Sequence, residues 1–146
     1  MIKNLVWKES KHADFIEFLV AFIDDLNDQA DEGAVVLVEG ARDSRALLDL
    51  GYRGRILTRT SLARSRITAS LQDARSVVIL TDMDKEGRKL AARYISFFMP
   101  LGVKTSLSER RRLKHASHGV FLHIENLSRF SPEVPELRGL RARMRV

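Results

Sequence analysis

Residues 77–90 constrain the fold of this chain more than any other stretch. A short apolar run, residues 77–80, leads into two aspartates spaced two apart, Asp82 and Asp84, and a charged segment with helix-favouring residues follows. Short continuous apolar runs are typical of strands that are buried on both faces, and in α/β proteins such strands commonly lead into a helix. The stretch therefore predicts a buried strand that passes into a helix, with two carboxylates at the junction.

Strands and helices alternate in the same way along the rest of the chain. Apolar, β-branched runs predict strands at residues 34–38, 54–57, 76–81, 103–107 and 120–124, with a weaker signal for a strand or arm at 2–7. Periodic apolar residues predict helices at residues 10–27, 43–50, 61–72 and 86–99, and a basic helix or loop at 109–115. This alternation indicates βαβ units. We therefore expect an α/β fold with a mostly parallel, Rossmann-like sheet of about four to five strands and helices on both faces.

The charge of the chain is unevenly distributed. The formal net charge is +6, but residues 1–32 hold eight acids and three lysines, a net charge of −5, so the remainder carries +11. A basic surface attracts polyanions by Coulomb steering and counterion release, which makes nucleic acid the first partner to consider. A solvated, arginine-rich surface is the alternative. The acidic first helix is a candidate contact for a protein partner.

Composition excludes several kinds of site and location. The 146 residues contain no cysteine, so thiolate zinc sites, disulfides and cysteine nucleophiles are excluded, and any metal must be held by oxygen or imidazole. No apolar run approaches the roughly 20 residues that cross a bilayer, and residues 1–10 do not resemble a secretory leader. We expect a cytoplasmic protein with no membrane contact.

The acids that follow the predicted strands are candidate metal ligands. Asp82 and Asp84 point the same way from an extended segment, and two carboxylates that close repel unless a cation lies between them. Mg²⁺ suits this position because it takes carboxylate oxygens and bridges to phosphate, with Mn²⁺ as the alternative ion. Glu39 follows a neighbouring strand, and the carboxyl ends of parallel strands lie at one edge of the sheet. It could be a further ligand or a general acid/base.

Residues around these acids could contact phosphate. Gly87 would allow phosphate to approach the start of the following helix, where the dipole favours anions, and Lys85, Arg88 and Arg42 could neutralise it. A purely structural interpretation stays open at this point. In it Asp84 caps the helix, Asp82 is a solvated acid, and Glu39 begins an ordinary turn.

Two motifs together resemble the Toprim domain of topoisomerases, bacterial-type primases, nucleases and recombination mediators. The first is Val38-Glu39-Gly40 after an apolar strand, and the second, about forty residues later, is Thr81-Asp82-Met83-Asp84-Lys85-Glu86-Gly87-Arg88-Lys89-Leu90-Ala91. The resemblance spans about residues 34–107, and the short chain resembles the small stand-alone Toprim proteins of prokaryotes. It implies Mg²⁺-dependent phosphoryl transfer on nucleic acid, with Glu39 as general acid/base and Asp82 and Asp84 as metal ligands.

The resemblance also fixes the expected organisation and the limits on activity. We expect a single domain, 1–146, with an acidic N-terminal helix at about 10–27, a Toprim-like core at about 34–107 and a basic extension at about 108–146. The only tyrosines, Tyr52 and Tyr94, are predicted at a helix end and in a core helix face, which argues against topoisomerase chemistry. A small nuclease-like enzyme acting on RNA or DNA is the favoured function. A non-catalytic nucleic-acid-binding adaptor in an RNA-processing or DNA-repair assembly is the alternative.

The C-terminal third carries two further candidate sites. Arg110, Arg111, Arg112 and Lys114 could contact phosphate, with solvated helix charge as the alternative. Three histidines, at positions 115, 118 and 123, have a spacing that could hold zinc, but no motif accompanies them, and surface or strand histidines are favoured.

Overall fold

The computed structural model describes residues 10–64 and 74–145, and its centre is a four-stranded sheet. The strands are β1 (Ala34–Val38), β2 (Ile56–Thr58), β3 (Ser76–Ile79) and β4 (Lys104–Ser106). They lie in the order β2-β1-β3-β4, and every neighbouring pair is parallel. The predicted α/β fold with a parallel sheet is confirmed. Because all four strands run the same way, their carboxyl ends lie at one edge.

Helices follow or precede every strand. The α-helices are α1 (Ser10–Asp31), α2 (Ala41–Asp49), α3 (Arg59–Arg64), α4 (Lys85–Phe98), α5 (Ser108–Ala116) and α6 (Glu133–Met144). Two 3₁₀ helices occupy Met99–Leu101 and Ile124–Phe130. The segment predicted at residues 2–7 and most of the helix predicted at 61–72 lie outside the described residues. Among the residues described, no helix combines the length and the apolar character needed to cross a membrane.

The sheet separates two hydrophobic cores, which explains why β1 is apolar throughout. Val36 and Val38 face a large core that includes the inner face of α1, whereas Val35 and Leu37 face a smaller core formed with α4. Successive side chains of a strand point to opposite faces, so a strand covered on both sides has no polar positions. The same alternation holds in β3. The apolar runs thus identified β1 and β3, the two central strands, because both of their faces are covered.

The fifth strand predicted at residues 120–124 is wrong. This segment is an irregular loop that enters the 3₁₀ helix Ile124–Phe130. Phe121, Ile124, Leu127 and Phe130 are all buried in the large core, at intervals of three residues. Three residues make one turn of a 3₁₀ helix, so this spacing places Ile124, Leu127 and Phe130 on one face of the helix, and Phe121 packs against the same core from the loop before it. The strand-like composition of residues 120–124 obscured the three-residue spacing of buried apolar side chains, which continues beyond the predicted strand to Phe130.

Candidate metal centre

The end of β3 is fixed by close packing against the first turn of α4. The hydroxyl of Thr81, which is fully buried, donates to the carbonyl of Gly87 at 2.6 Å. Gly87 is itself buried, and a Cβ atom at this position would overlap the backbone carbonyl of Asp82. Glycine is therefore required here for contact between helix and strand end. The structure explains Gly87 by this packing, whereas the sequence had suggested an approach for phosphate.

Asp84 is both the cap of α4 and a member of an acidic cluster. Its Oδ1 accepts the backbone N–H of Gly87 at 2.7 Å, and its Oδ2 lies 3.7 Å from Nδ1 of His123. An aspartate in this position satisfies one of the unpaired N–H groups at a helix start. The capping role predicted as the structural alternative is therefore present. It uses only Oδ1, and Oδ2 faces the acidic cluster.

Asp82 is held in the same way, with one oxygen on the backbone and one toward His123. Its Oδ1 accepts the N–H of Ile124 at 2.9 Å, and its Oδ2 lies 3.1 Å from Nδ1 of His123. Asp82, Asp84 and His123 each offer one ligand atom within 4.8 Å of the others. Two carboxylates and an imidazole are oxygen and nitrogen donors that divalent cations accept. This donor set fits a divalent metal ion.

His123 enters this cluster from the loop before the second 3₁₀ helix. The N–H of Met83 donates to the carbonyl of Leu122 at 2.6 Å, so the loop is bonded to the backbone between the two aspartates. The hydrogen bond with Asp82 raises the pKa of His123 from its ordinary value. The sequence grouped His123 with His115 and His118 and missed its partnership with the aspartates. His115 and His118 instead face one another near the end of α5, with ring centroids 6.5 Å apart.

Glu39, at the end of β1, lies beside the cluster. Its Oε2 accepts the backbone N–H of Asp82 at 2.8 Å, so the predicted juxtaposition of the two strand ends is present. Burial raises the pKa of Glu39, and the negative charges of Asp82 and Asp84 add to this effect, although the Asp82 N–H opposes it. The cluster of three ligand atoms does not include Glu39. Its carboxylate orients the backbone of Asp82.

Asp43 is a second buried acid at the end of β1. Its Oδ2 accepts the N–H of Gly40, the N-cap residue of α2, at 3.1 Å, which closes the first turn of that helix. Burial raises the pKa of Asp43 to about 6, with the negative charge of Asp82 as the next cause. Both acids that follow β1 thus accept backbone N–H groups, and burial raises the pKa of each.

Arg110 joins the site from α5 and has a structural role. Its Nε donates to the carbonyl of Thr81 at 3.1 Å and an Nη donates to the carbonyl of Asp82 at 2.6 Å. Only 6% of the residue is exposed. The guanidinium thereby satisfies two carbonyls just beyond the end of β3. Of the four basic residues predicted to contact phosphate in this segment, Arg110 is the one bonded to the site's backbone.

The other basic residues of this segment lie at the surface. Arg112 pairs with Asp25 of α1 at 2.9 Å, whereas Arg111 and Lys114 are exposed. Two further ion pairs join α1 to α6, Asp24 with Arg138 at 3.1 Å and Glu17 with Arg141 at 3.5 Å. The acidic helix therefore neutralises part of the basic C-terminal segment within the molecule.

Three exposed cations border the carboxyl edge of the sheet, as the sequence predicted. Lys85 and Arg88 lie in the first turn of α4, directly after Asp84. Arg42 lies in the first turn of α2, with an Nη 4.0 Å from a carboxylate oxygen of Glu125. Its side chain is 88% exposed, so that long ion pair does not hold it in place.

Comparison with known proteins identifies the family that this geometry represents. The family model described as the Toprim domain matches residues 34–116. The chain belongs to the Toprim family. Toprim domains bind divalent metal ions, and Asp82, Asp84 and His123 could hold one. The match ends before His123, so one of the three candidate ligands comes from outside the Toprim domain.

Small archaeal proteins and one solved structure are similar to this Toprim protein. A UPF0292 protein of Pyrococcus horikoshii is 35% identical over 96 residues, which covers 66% of this chain and 72% of the relative. A UPF0292 protein of Methanosarcina barkeri is 32% identical over 115 residues, covering 77% and 79%. A solved structure of a protein from Aquifex aeolicus matches with a TM-score of 0.59 at 23% identity, covering 73% of this chain and 94% of that one. That structure supports the fold.

Proposed function

We propose that this Toprim protein is a Mg²⁺-dependent nuclease or related phosphoryl-transfer enzyme acting on RNA or DNA, with Mn²⁺ as an alternative ion. The observation that carries the proposal is the convergence of Asp82 and Asp84 at the carboxyl edge of the sheet, where Toprim membership implies metal-dependent work on nucleic acid. The predicted cytoplasmic location suits such a substrate.

The acids at the carboxyl edge of the sheet have different roles in the proposed reaction. Asp82 and Asp84 hold the metal through the oxygens that their backbone contacts leave available. When bound, the metal supplies Lewis-acid stabilisation of the charge that grows on phosphate oxygens. Glu39 moves a proton; of its two predicted roles, this one suits its position outside the three-ligand cluster better.

Phosphate contact is proposed for the exposed cations around the edge. Lys85 and Arg88 follow the acid pair directly, and Arg42 faces the same edge from α2. Arg111 and Lys114 extend this basic surface along α5. Contacts of this kind position a nucleic acid by its backbone and carry no sequence information directly. We therefore propose binding by backbone and shape.

An adaptor without catalysis is the second candidate. The specific observation that favours it is that the exposed cations could bind phosphate without any metal. In this case the protein would join nucleic acid to a processing or repair assembly. The intramolecular pairing of α1 with arginines leaves other acids, such as Asp14 and Asp28, exposed for a protein partner.

Labelled structured RNA and DNA, incubated with Mg²⁺, Mn²⁺ or EDTA, test the enzyme against the adaptor. The Asp82→Asn plus Asp84→Asn variant keeps acceptors for the N–H groups of Gly87 and Ile124 but lowers the charge of the site. We expect its metal-dependent cleavage to fall by at least about 100-fold, because charge stabilisation of this kind contributes several kcal/mol. Cleavage rates and binding isotherms are measured on the same substrates.

A charge-matched control removes two exposed acids of α1, with Asp14→Asn plus Asp28→Asn. It should cleave like the original protein, because neither residue lies at the carboxyl edge. Metal-dependent cleavage that survives in the Asp82/Asp84 variant would remove the proposed site. Tight binding with no turnover in any metal would favour the adaptor.

A further inference from the structure

The loop that carries His123 is attached to both sides of the metal-binding motif. The N–H of Met83 donates to Leu122, and the N–H of Ile124 donates to Asp82. His123 lies between these two bonded residues. Its position is therefore fixed by backbone contacts on either side, and its ring nitrogen lies within 3.7 Å of an oxygen of each aspartate.

The hydrogen bonds at the aspartates leave one oxygen of each directed at this ring. Asp82 and Asp84 use Oδ1 for backbone N–H groups, and both Oδ2 atoms face Nδ1 of His123. Second contacts of this kind orient ligand groups in metal sites. The three ligand atoms within 4.8 Å thus comprise two hard oxygens and one imidazole nitrogen.

We propose that His123 is a metal ligand, and that its imidazole makes this site prefer a first-row transition ion such as Mn²⁺ over Mg²⁺. The inference rests on the metal site of the proposed function. Mg²⁺ favours oxygen ligands and keeps several waters, whereas imidazole suits transition ions. The preference comes from a residue that lies outside the segment matched by the Toprim domain, 34–116.

A protonated His123 without any metal would make the same contacts with the two aspartates. A protonated ring could lie between Asp82 and Asp84 and replace a cation, and a metal would then displace it. The two roles differ in one observable, since only a ligand places nitrogen in the coordination shell of the bound ion. A test therefore needs a readout of ligation as well as of affinity.

Mn²⁺ is the probe, because its electron paramagnetic resonance reports both free ion and nearby nitrogen. We expect the full chain to bind Mn²⁺ at least about 10-fold more tightly than Mg²⁺. Electron spin echo spectra of the bound ion should show nitrogen coupling that changes when the histidines are labelled with ¹⁵N. His123→Ala should abolish the coupling and weaken Mn²⁺ binding about 10- to 100-fold, with Mg²⁺ binding changed less than about 3-fold.

Two further variants distinguish the loss of a metal ligand from a loss of folding. His123→Asn offers an amide oxygen in place of nitrogen, so it should bind Mg²⁺ about as well as the original protein and lose the preference for Mn²⁺. His115→Ala changes an exposed histidine at the end of α5 and should leave affinity and spectra unchanged. Circular dichroism of each variant confirms that it is folded.

The possible results separate this inference from the proposed function. Equal weakening of Mn²⁺ and Mg²⁺ binding by His123→Ala, or no nitrogen coupling in the original protein, would overturn the inference and leave metal-dependent cleavage intact. Nitrogen-coupled Mn²⁺ in a protein that cleaves nothing would support the inference and remove the enzyme. No binding of either ion would overturn both.

Discussion

The ends of β1 and β3 lie side by side, and two acids follow each of them; all four acids accept a backbone N–H group, but the surroundings of the two pairs otherwise differ. Glu39 and Asp43, after β1, accept backbone N–H groups, and burial raises the pKa of both. Asp82 and Asp84, after β3, turn one oxygen each toward His123. Environment can give neighbouring carboxyls separate roles, one holding a proton and one remaining ionised. Under the proposed function, the acids after β1 handle protons and those after β3 bind the cation.

The largest expected effect tests this division at Glu39. Glutamine at this position can still accept the N–H of Asp82 but cannot transfer a proton. If Glu39 is the general acid/base, Glu39→Gln should lower the cleavage rate about 10²- to 10⁴-fold. The dissociation constant of the metal should change by less than about 3-fold. Single-turnover rates at saturating metal and calorimetric titration measure the two quantities.

Asp82→Asn is the matched variant at the other strand end. It should weaken metal binding strongly, because it removes the charge of a ligand. Should Glu39→Gln weaken metal binding as much as Asp82→Asn does, Glu39 is a ligand and the two strand ends are not divided in the way proposed.

A smaller effect is expected when alanine replaces the glycine near each strand end, Gly87 after β3 or Gly40 after β1. A Cβ at Gly87 would overlap the carbonyl of Asp82, whereas a Cβ at Gly40 would meet nothing within 4 Å. Gly40 has an extended backbone, with φ −152°, that any residue adopts. Gly87→Ala should lower the free energy of unfolding by about 3 kcal/mol, because overpacking against backbone forces a shift of strand or helix. Gly40→Ala should cost less than about 1 kcal/mol.

Urea unfolding of both glycine variants in EDTA gives the comparison without any contribution from metal. Similar losses for the two variants would show that the tight contact between α4 and the end of β3 is not needed. A fold that tolerates alanine at position 87 would also restore the interpretation in which Gly87 serves a bound phosphate.

Much of the fold was readable from the sequence because local pattern and tertiary surroundings agree. The run at 34–38 is apolar throughout, and both faces of β1 are covered. Alternation of such runs with periodic helices predicted the parallel sheet, whereas the strand order β2-β1-β3-β4 was not predicted. The two motifs predicted that Glu39 and Asp82 lie at neighbouring strand ends, and in the structure the N–H of Asp82 donates to Glu39 at 2.8 Å.

The rest of the site depends on contacts between distant residues, which local patterns do not encode. His123 is 41 residues from Asp82, and nothing near either residue predicts their meeting. The sequence predicts Arg110 as one of four basic residues that contact phosphate, with solvated helix charge as the alternative. Its position three residues before Leu113 and seven before Ser117 places it on the buried face of α5, a signal that charge alone obscured. The three-residue spacing of apolar residues from Phe121 to Phe130 is likewise visible in the sequence, but the segment was predicted as a strand at its start.

The smallest expected effect concerns the proton on Asp43. Its pKa rises from 3.8 to about 6 in the folded protein. Between these values the folded state binds more protons than the unfolded state, so the free energy of unfolding falls as pH rises through this range. A shift of this size corresponds to about 3 kcal/mol at most, and solvent screening at the edge of the sheet reduces the expected change to about 2 kcal/mol. The raised pKa of Glu39 acts in the same direction.

Asp43→Asn removes this ionisation while its side-chain oxygen can still accept the N–H of Gly40. Relative to the original protein, the variant should therefore gain about 2 kcal/mol of stability between pH 4.5 and pH 7.5, measured by urea unfolding in EDTA. Asp28→Asn, an exposed acid of α1, serves as the control and should show no such trend. Parallel stability curves for Asp43→Asn and the original protein would mean that Asp43 is ionised across this range. The contrast between the two strand ends would then rest on Glu39 alone.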